Sequence, residues 1–194
     1  MLVLDYGHGN IRSVVNALEH IGVAAEVGGT PEAVKRAEKI VIPGVGAFGS
    51  GMDELTRRGL IGPIQDASRT GKHLLGICLG MQLLFDGSME SGERQGLGIV
   101  PGWVRELPRT PLERFPNIGW LEVKATEFVP SRPMYFVHGY YGLPLISSAT
   151  IGKAVYGDFP FCCAVRVGNT YGVQFHPEKS GRDGLQVLKN FAEL

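Results

Sequence analysis

His73-Leu74-Leu75-Gly76-Ile77-Cys78-Leu79-Gly80-Met81-Gln82-Leu83-Leu84-Phe85 is the stretch whose reading decides the fold. An apolar run enters it, a glycine-flanked cysteine interrupts it, and a second apolar segment, Met81 to Phe85, leaves it. That order reads as strand, sharp turn, helix, with Cys78 at the turn. Glycines two residues to either side of Cys78 let a strand reverse tightly into a helix and hold a nucleophile up on a strained turn. The free N–H groups and positive dipole end of the new helix then favour a thiolate. A buried structural cysteine is the competing reading of any Cys in an apolar run. The flanking glycines favour the nucleophile.

Working outward, strands and helices alternate through the first half. Leu2-Val3-Leu4 reads as a strand. Asn10 caps a helix whose apolar residues Ile11, Val14, Val15, Leu18 and Ile21 recur at helical spacing, with Gly22 as its stop. Val23 to Val27 is the next strand, and Thr30-Pro31 opens a second helix with Thr as cap and Pro in the first position. The Ile40 strand follows, then helical material from about Met52 to Arg69, then the strand leading to Cys78. From about Gly98 the pattern changes to short strands separated by Gly and Pro. Ser180 caps a last helix carrying Leu185, Leu188 and Phe191. The expectation is an α/β fold: a mostly parallel central sheet, helices on both faces, and antiparallel strand additions in the C-terminal half. Arg105 to Pro116, with its three prolines, is the expected mobile surface loop.

A cysteine nucleophile needs a base, and the base needs an orienting group. Tyr171-Gly172-Val173-Gln174-Phe175 reads as a strand, and His176-Pro177-Glu178 follows it. In an extended backbone, residues i and i+2 point to the same side. Pro177 keeps His176 extended. His176 can therefore face the thiol while Glu178 stands beside its imidazole and fixes the tautomer. Pro43-Gly44-Val45-Gly46, after the Ile40 strand, has two open readings. It is an oxyanion site whose glycines let backbone N–H groups approach a reacting carbonyl, or an ordinary strand-to-helix turn.

The 194 residues suffice for a single domain over 1–194 with a full core. Lys and Arg together number 19, as do Asp and Glu, so no nucleic-acid footprint is visible. Three cysteines make neither a disulfide framework nor a zinc spacing, and the pair Cys162-Cys163 reads as a buried strand. No metal or cofactor is expected. No signal peptide precedes Leu2 and no apolar run reaches membrane-spanning length, so the expected place is the cytoplasm, away from membranes.

Six segments carry a resemblance: Asp5-Tyr6-Gly7 with Gly9-Asn10, Pro43 to Phe48, Gly76 to Gln82, Gly119-Trp120, Tyr135-Phe136-Val137-His138 with Tyr140, and Tyr171 to Gly181. In order and spacing they are similar to the class I (triad-type) glutamine amidotransferases. More narrowly, they resemble the glutaminase subunits of imidazole glycerol phosphate synthases, which serve histidine biosynthesis. The resemblance implies a Cys78–His176–Glu178 triad that hydrolyses glutamine through a cysteinyl thioester. It implies oxyanion donors at Leu79 and in the Gly44-Val45-Gly46 turn, and substrate contacts from Gln82, Glu90, Gly139 and Tyr140. A solvated acidic loop is the other reading of Glu90. The resemblance also implies a partner, a (β/α)8-barrel cyclase subunit in a heterodimer, which uses the ammonia to make imidazole glycerol phosphate and AICAR. It places Asn10, Trp120 and Lys179 at that interface; a helix cap, a core aromatic and a solvated charge are their other readings. Asn117 and Leu121 stand where the family usually has His and Asn, and Gly139 where it often has Ser or Thr. The alternatives are a glutaminase subunit for another synthase of the class, and a non-catalytic subunit of the same fold.

Overall fold

The computed structural model describes residues 1–109, 113–126 and 128–194. Its first half runs β1 (Leu2–Leu4), α1 (Ile11–His20), β2 (Glu26–Gly28), α2 (Pro31–Arg36), β3 (Lys39–Ile42), α3 (Phe48–Arg57), α4 (Ile61–Arg69), β4 (His73–Ile77) and α5 (Leu79–Leu83). The second half is mostly strands: β5 (Phe85–Ser88), β6 (Arg94–Gln95), β7 (Val100–Glu106), β8 (Asn117–Ala125), β9 (Pro133–His138), β10 (Tyr140–Pro144), β11 (Thr150–Tyr156), β12 (Phe159–Val167) and β13 (Thr170–Val173). Helix α6 (Gly181–Glu193) closes the chain.

Among the described residues, nine strands form one sheet in the order β2-β1-β3-β4-β13-β12-β11-β8-β9. The β2-to-β13 half is parallel; β12, β11, β8 and β9 extend it antiparallel. This is the expected architecture. A second sheet, β10-β7-β5-β6, lies apart from it.

The inner parallel strands β1, β3, β4 and β13 are apolar over most of their length because both faces are covered. Leu2, Leu4, Ile40, Ile42 and Leu74 face one core with Val34 of α2, Leu55 of α3 and Ile64 of α4. Val3, Val41 and Leu75 alternate to the other, where α1 contributes Val14 and Leu18, and α6 contributes Val187, Leu188 and Phe191. Cys162 and Cys163 are adjacent on β12 and divide between the two cores in the same way. Burial raises both thiol pKa values, that of Cys162 to about 11, so they are packing groups.

Local details correct several expected boundaries. The second strand begins at Glu26, not Val23, because the Val23 N–H turns back to the Leu18 carbonyl at 2.9 Å to close α1. The helical stretch expected from Met52 starts at Phe48 and breaks into two at Gly59, whose φ of 64° ends α3. Phe85 belongs to a strand rather than to the helix after Cys78, since it pairs with Val100 of β7. The second sheet therefore begins before Gly98. Of the loop expected over Arg105–Pro116, Arg105 and Glu106 are strand, and residues 110–112 lie outside the described residues.

Thr30 accepts from the Ala33 N–H at 3.2 Å and Asn10 from the Ser13 N–H at 3.4 Å, each capping its helix as expected. Ser180 precedes α6 but its side chain does not cap it. Its hydroxyl is committed elsewhere, to the edge of the large sheet.

Candidate active site

The site lies beyond the C-terminal ends of β3, β4 and β13, where ligands collect in open parallel sheets. Cys78 follows β4 with φ 54° and ψ −109°, a strained setting for a residue with a side chain. Its own N–H is tied to Val173 of β13 at 2.8 Å. The flanking glycines have a different reason from the one expected. Neither takes a positive φ; Cys78 alone of the five residues does. A Cβ on Gly76 would sit 2.6 Å from the Gly80 carbonyl oxygen, and one on Gly80 would collide with the Ile42 carbonyl oxygen. The glycines let α5 press onto β4 and β3, and that packing forces the strain onto Cys78. The helix dipole expected to act on the sulfur comes from only the five residues of α5.

The sulfur makes two weak contacts, to the Val137 carbonyl at 3.8 Å and the Gln174 amide nitrogen at 3.7 Å. His176 Nδ1 meets Glu178 Oε1 at 2.8 Å, with side chains 4% and 2% exposed. The Glu178 carboxylate accepts from Nδ1, which fixes a proton there and leaves Nε2 for the thiol. Burial on its own would lower the His176 pKa. Hydrogen bonding to Cys78 and Glu178, and their negative charge, outweigh burial and raise it to about 10.

The route by which Glu178 reaches His176 also differs from expectation. The strand ends at Val173, and Pro177–Lys179 is a turn of 3₁₀ helix, so the two side chains meet across a tight turn rather than along a strand. That turn is pinned to β9, the edge strand of the sheet. The His176 N–H donates to the Tyr135 carbonyl at 2.9 Å. Ser180 Oγ donates to the His176 carbonyl at 2.7 Å and accepts from the Tyr135 N–H at 3.0 Å. One hydroxyl thus covers a bare sheet edge and fixes the backbone of the histidine.

Cys78 and His176 open into a cavity of about 350 Å³. Leu79, Val45, Gly46, Gln82, Glu90, Gly139, Tyr140 and Lys179 line it with them, so the structure brings these sequence-derived candidates together. Leu79 is the first residue of α5, where an N–H has no acceptor within its own helix. Gly44 is the exception: it lies behind the cavity wall. A Cβ there would come 2.5 Å from the Tyr6 hydroxyl and 2.8 Å from the Gly80 nitrogen. Gln82 spends both amide hydrogens on the Tyr140 carbonyl at 2.9 Å and Gln174 Oε1 at 3.0 Å, so it shapes the wall. Glu90 is not a solvated loop residue; its Oε2 accepts from the Phe48 N–H at 2.7 Å, at the N-terminus of α3. Trp120 is 55% exposed, with its ring against Tyr135, so it is not a core aromatic. Among the described residues, no group of His, Cys, Asp or Glu is arranged to hold a metal.

Three further contributors, the second a pair of residues, were given no role in the site from the sequence. Gln174 is fully buried and bridges Gln82 to Cys78; its one signal is an amide inside an apolar run. Asn117 and His138 are register partners on β8 and β9. The Asn117 amide donates to His138 Nε2 at 3.0 Å, while His138 Nδ1–H donates to the Tyr140 carbonyl at 2.8 Å. Burial, aided by the charge of His176 and opposed by the Tyr140 bond, lowers the His138 pKa to about 4, consistent with a neutral ring. The third is Phe115. Its ring lines the cavity, with the Arg109 guanidinium 4.2 Å above it, and occupies the space a side chain at 139 would need. A Cβ on Gly139 would be 2.9 Å from the tip of that ring.

A family model described as "Glutamine amidotransferase class-I" matches residues 2–194. Among curated proteins, the chain is 42% identical to "Imidazole glycerol phosphate synthase subunit HisH" of Syntrophotalea carbinolica over 206 residues, covering 100% of both chains. It is also 42% identical to the protein of that name from Moorella thermoacetica over 199 residues, covering 99% of this chain and 93% of that one. Among solved structures, "Crystal structure of glutamine amidotransferase" superposes with a TM-score of 0.79 at 20% identity, covering 99% of this chain and 97% of the other. "Structure of PurLQS from Thermotoga maritima" superposes at 0.75 and 20% identity, covering 99% and 96%. At that identity the two structures speak for the fold.

Proposed function

The chain belongs to the class I glutamine amidotransferases, and from that premise we propose that it is the glutaminase subunit of an imidazole glycerol phosphate synthase, a single domain over residues 1–194. The observation that carries the reading is the buried His176–Glu178 pair, 2.8 Å apart, beside a cysteine on a strained turn that faces a cavity.

Cys78 attacks the side-chain amide carbon of glutamine. His176 takes the thiol proton and delivers it to the departing nitrogen, so ammonia leaves and a glutamyl thioester remains. Water then adds, giving a proton to His176; the thioester bond breaks, glutamate leaves, and the sulfur regains its proton. The oxyanion is held by the Leu79 N–H and by a donor from the Val45-Gly46 turn, each worth ~3 kcal/mol of barrier. Glu90, Gly139 and Tyr140 contact the substrate, and Gln82 holds Tyr140 in place.

Ammonia released into water is protonated and lost. A (β/α)8-barrel cyclase partner receives it in this proposal. An exposed apolar strip supports that partner: Ile118 and Trp120 share one face of β8, at 61% and 55% exposure. Tyr135, against Trp120, is bonded to Ser180, which places exposed Lys179 at the end of this strip and at the mouth of the cavity. Asn10 is exposed on α1, which packs against the same turn. Three free, buried cysteines agree with a cytoplasmic setting. The partner holds the glycine-flanked Val45-Gly46 turn with an N–H toward the developing oxyanion, raising kcat more than it improves KM.

The test is glutamine hydrolysis by the parent and by Cys78→Ala, each with and without the barrel subunit. The parent alone is expected to be slow and to gain in kcat on complex formation. Cys78→Ala is expected to cleave no glutamine yet to leave the complex active with supplied ammonia. Turnover by the Ala variant within about tenfold of the parent defeats the assignment of the nucleophile.

A further inference from the structure

His8 touches neither Cys78 nor the cavity, yet both its ring nitrogens are engaged. Nδ1 lies 3.3 Å from the Val45 carbonyl oxygen, and Nε2 lies 3.1 Å from Ser50 Oγ. A carbonyl can only accept, so Nδ1 carries the proton and Nε2 accepts from the Ser50 hydroxyl. The ring rests 5.7 Å from that of fully buried Tyr6. Ser50 belongs to α3, whose first N–H is fixed by Glu90. His8 therefore braces the Val45-Gly46 turn against a helix that does not share its freedom.

The direction of the brace follows from peptide geometry. In a planar trans peptide the C=O and N–H point opposite ways. Val45 and Gly46 line the cavity and His8 does not, so the turn stands between His8 and the reacting sulfur. The Val45 carbonyl is aimed at His8, so the Gly46 N–H in the same plane points away from His8. Gly46 has a φ of 108°, which leaves the turn free to adopt the reverse setting when nothing holds it. Space is shaped to match: a Cβ on Gly46 would lie 3.4 Å from His8 Nδ1.

We propose that His8 is a positioning residue for glutamine hydrolysis: its hydrogen bond to the Val45 carbonyl keeps a negative dipole end out of the oxyanion site. The inference rests on the amidotransferase reading and adds a residue to its control. Because the effect falls on charge developing at the carbonyl oxygen, it acts in the transition state and not on bound glutamine.

The experiment compares His8→Ala and His8→Asn with the parent, each assembled with the barrel subunit. Asn presents an N–H close to the position of Nδ1. His8→Ala should lower kcat roughly fivefold, the size of one neutral hydrogen bond, with KM within about twofold, and His8→Asn should recover most of the loss. Amide exchange across Pro43–Phe48 should accelerate in His8→Ala and not in His8→Asn. Equal kcat in parent and His8→Ala, a loss confined to KM, or equal loss in both variants overturns the proposal. A parent that cleaves no glutamine defeats the amidotransferase reading instead. The exchange rates then decide whether His8 holds the turn, and unchanged exchange in His8→Ala overturns that too.

Discussion

Ser180→Ala isolates the hydroxyl that joins the sheet edge to His176, the proposed catalytic base. Ser180 is 3% exposed, so water does not replace what the substitution removes. The His176 carbonyl keeps a second donor, the Lys179 N–H at 3.0 Å. The Tyr135 N–H loses its acceptor, because it faces away from β8 on the outer side of the edge strand. One buried donor left unpaired costs ~1–3 kcal/mol, so about 2 kcal/mol is the expected loss. Urea unfolding should show the midpoint falling with an unchanged slope, since the surface exposed on unfolding is the same. Activity should fall as well. The His176 backbone keeps its bond to the Tyr135 carbonyl but loses the hydroxyl that squares it, and small misplacements are costly in a proton relay. A kcat about tenfold lower with little change in KM is expected, and Ser180→Thr, which keeps the hydroxyl, should recover part of both losses. A stability change below about 0.5 kcal/mol together with an unchanged kcat would refute the reasoning, for that is the scatter of uninvolved surface sites.

Glu178→Gln should reduce glutamine turnover less than His176→Ala, since Glu178 orients and stabilises the ring while His176 moves the protons; steady-state kinetics at one pH decide the order. The same Gln variant should show a pH-dependent stability deficit. The folded pKa of His176 is raised to about 10, so the ion pair's contribution is complete below the unfolded value of about 6.5 and is lost as pH rises through 10. Urea midpoints of parent and variant should differ more near pH 6 than near pH 10, and a gap that widens with pH contradicts the assignment. Gly139→Ala should cost about 1–3 kcal/mol by crowding Phe115, and Phe115→Ala should relieve most of that cost in the double variant; additive losses would mean that the two residues do not compete for space.

The residues proposed as catalytic were legible as candidates because each stands in a short local pattern that has a physical reason: Cys78 between glycines, His176 beside Pro177. The parallel core was legible because strands covered on both faces read as unbroken apolar runs. What escaped the sequence depends on register between distant segments. Ser180 looked like a helix cap, the usual use of Ser before a helix, and only the placement of β9 shows that its hydroxyl is claimed by Tyr135 and His176. Asn117 opposite His138, and Gln174 between Gln82 and Cys78, follow from strand pairing that no local spacing encodes. The strand, sharp turn and helix expected around Cys78 are present, but the cause differs from the expected one. The glycines serve helix-to-strand contact, and the strained residue is the cysteine itself.

Phe115 and Gly139 also constrain how this chain could have come to differ from relatives with a side chain at 139. With a serine or threonine at 139, the ring of Phe115 has nowhere to sit. With the ring in place, nothing larger than hydrogen fits at 139 without displacing it. The two positions are therefore coupled: a side chain at 139 asks for a different residue, or a different ring position, at 115. A single substitution at 139 meets that ring, so an exchange that looks trivial in the sequence carries a cost in the folded chain.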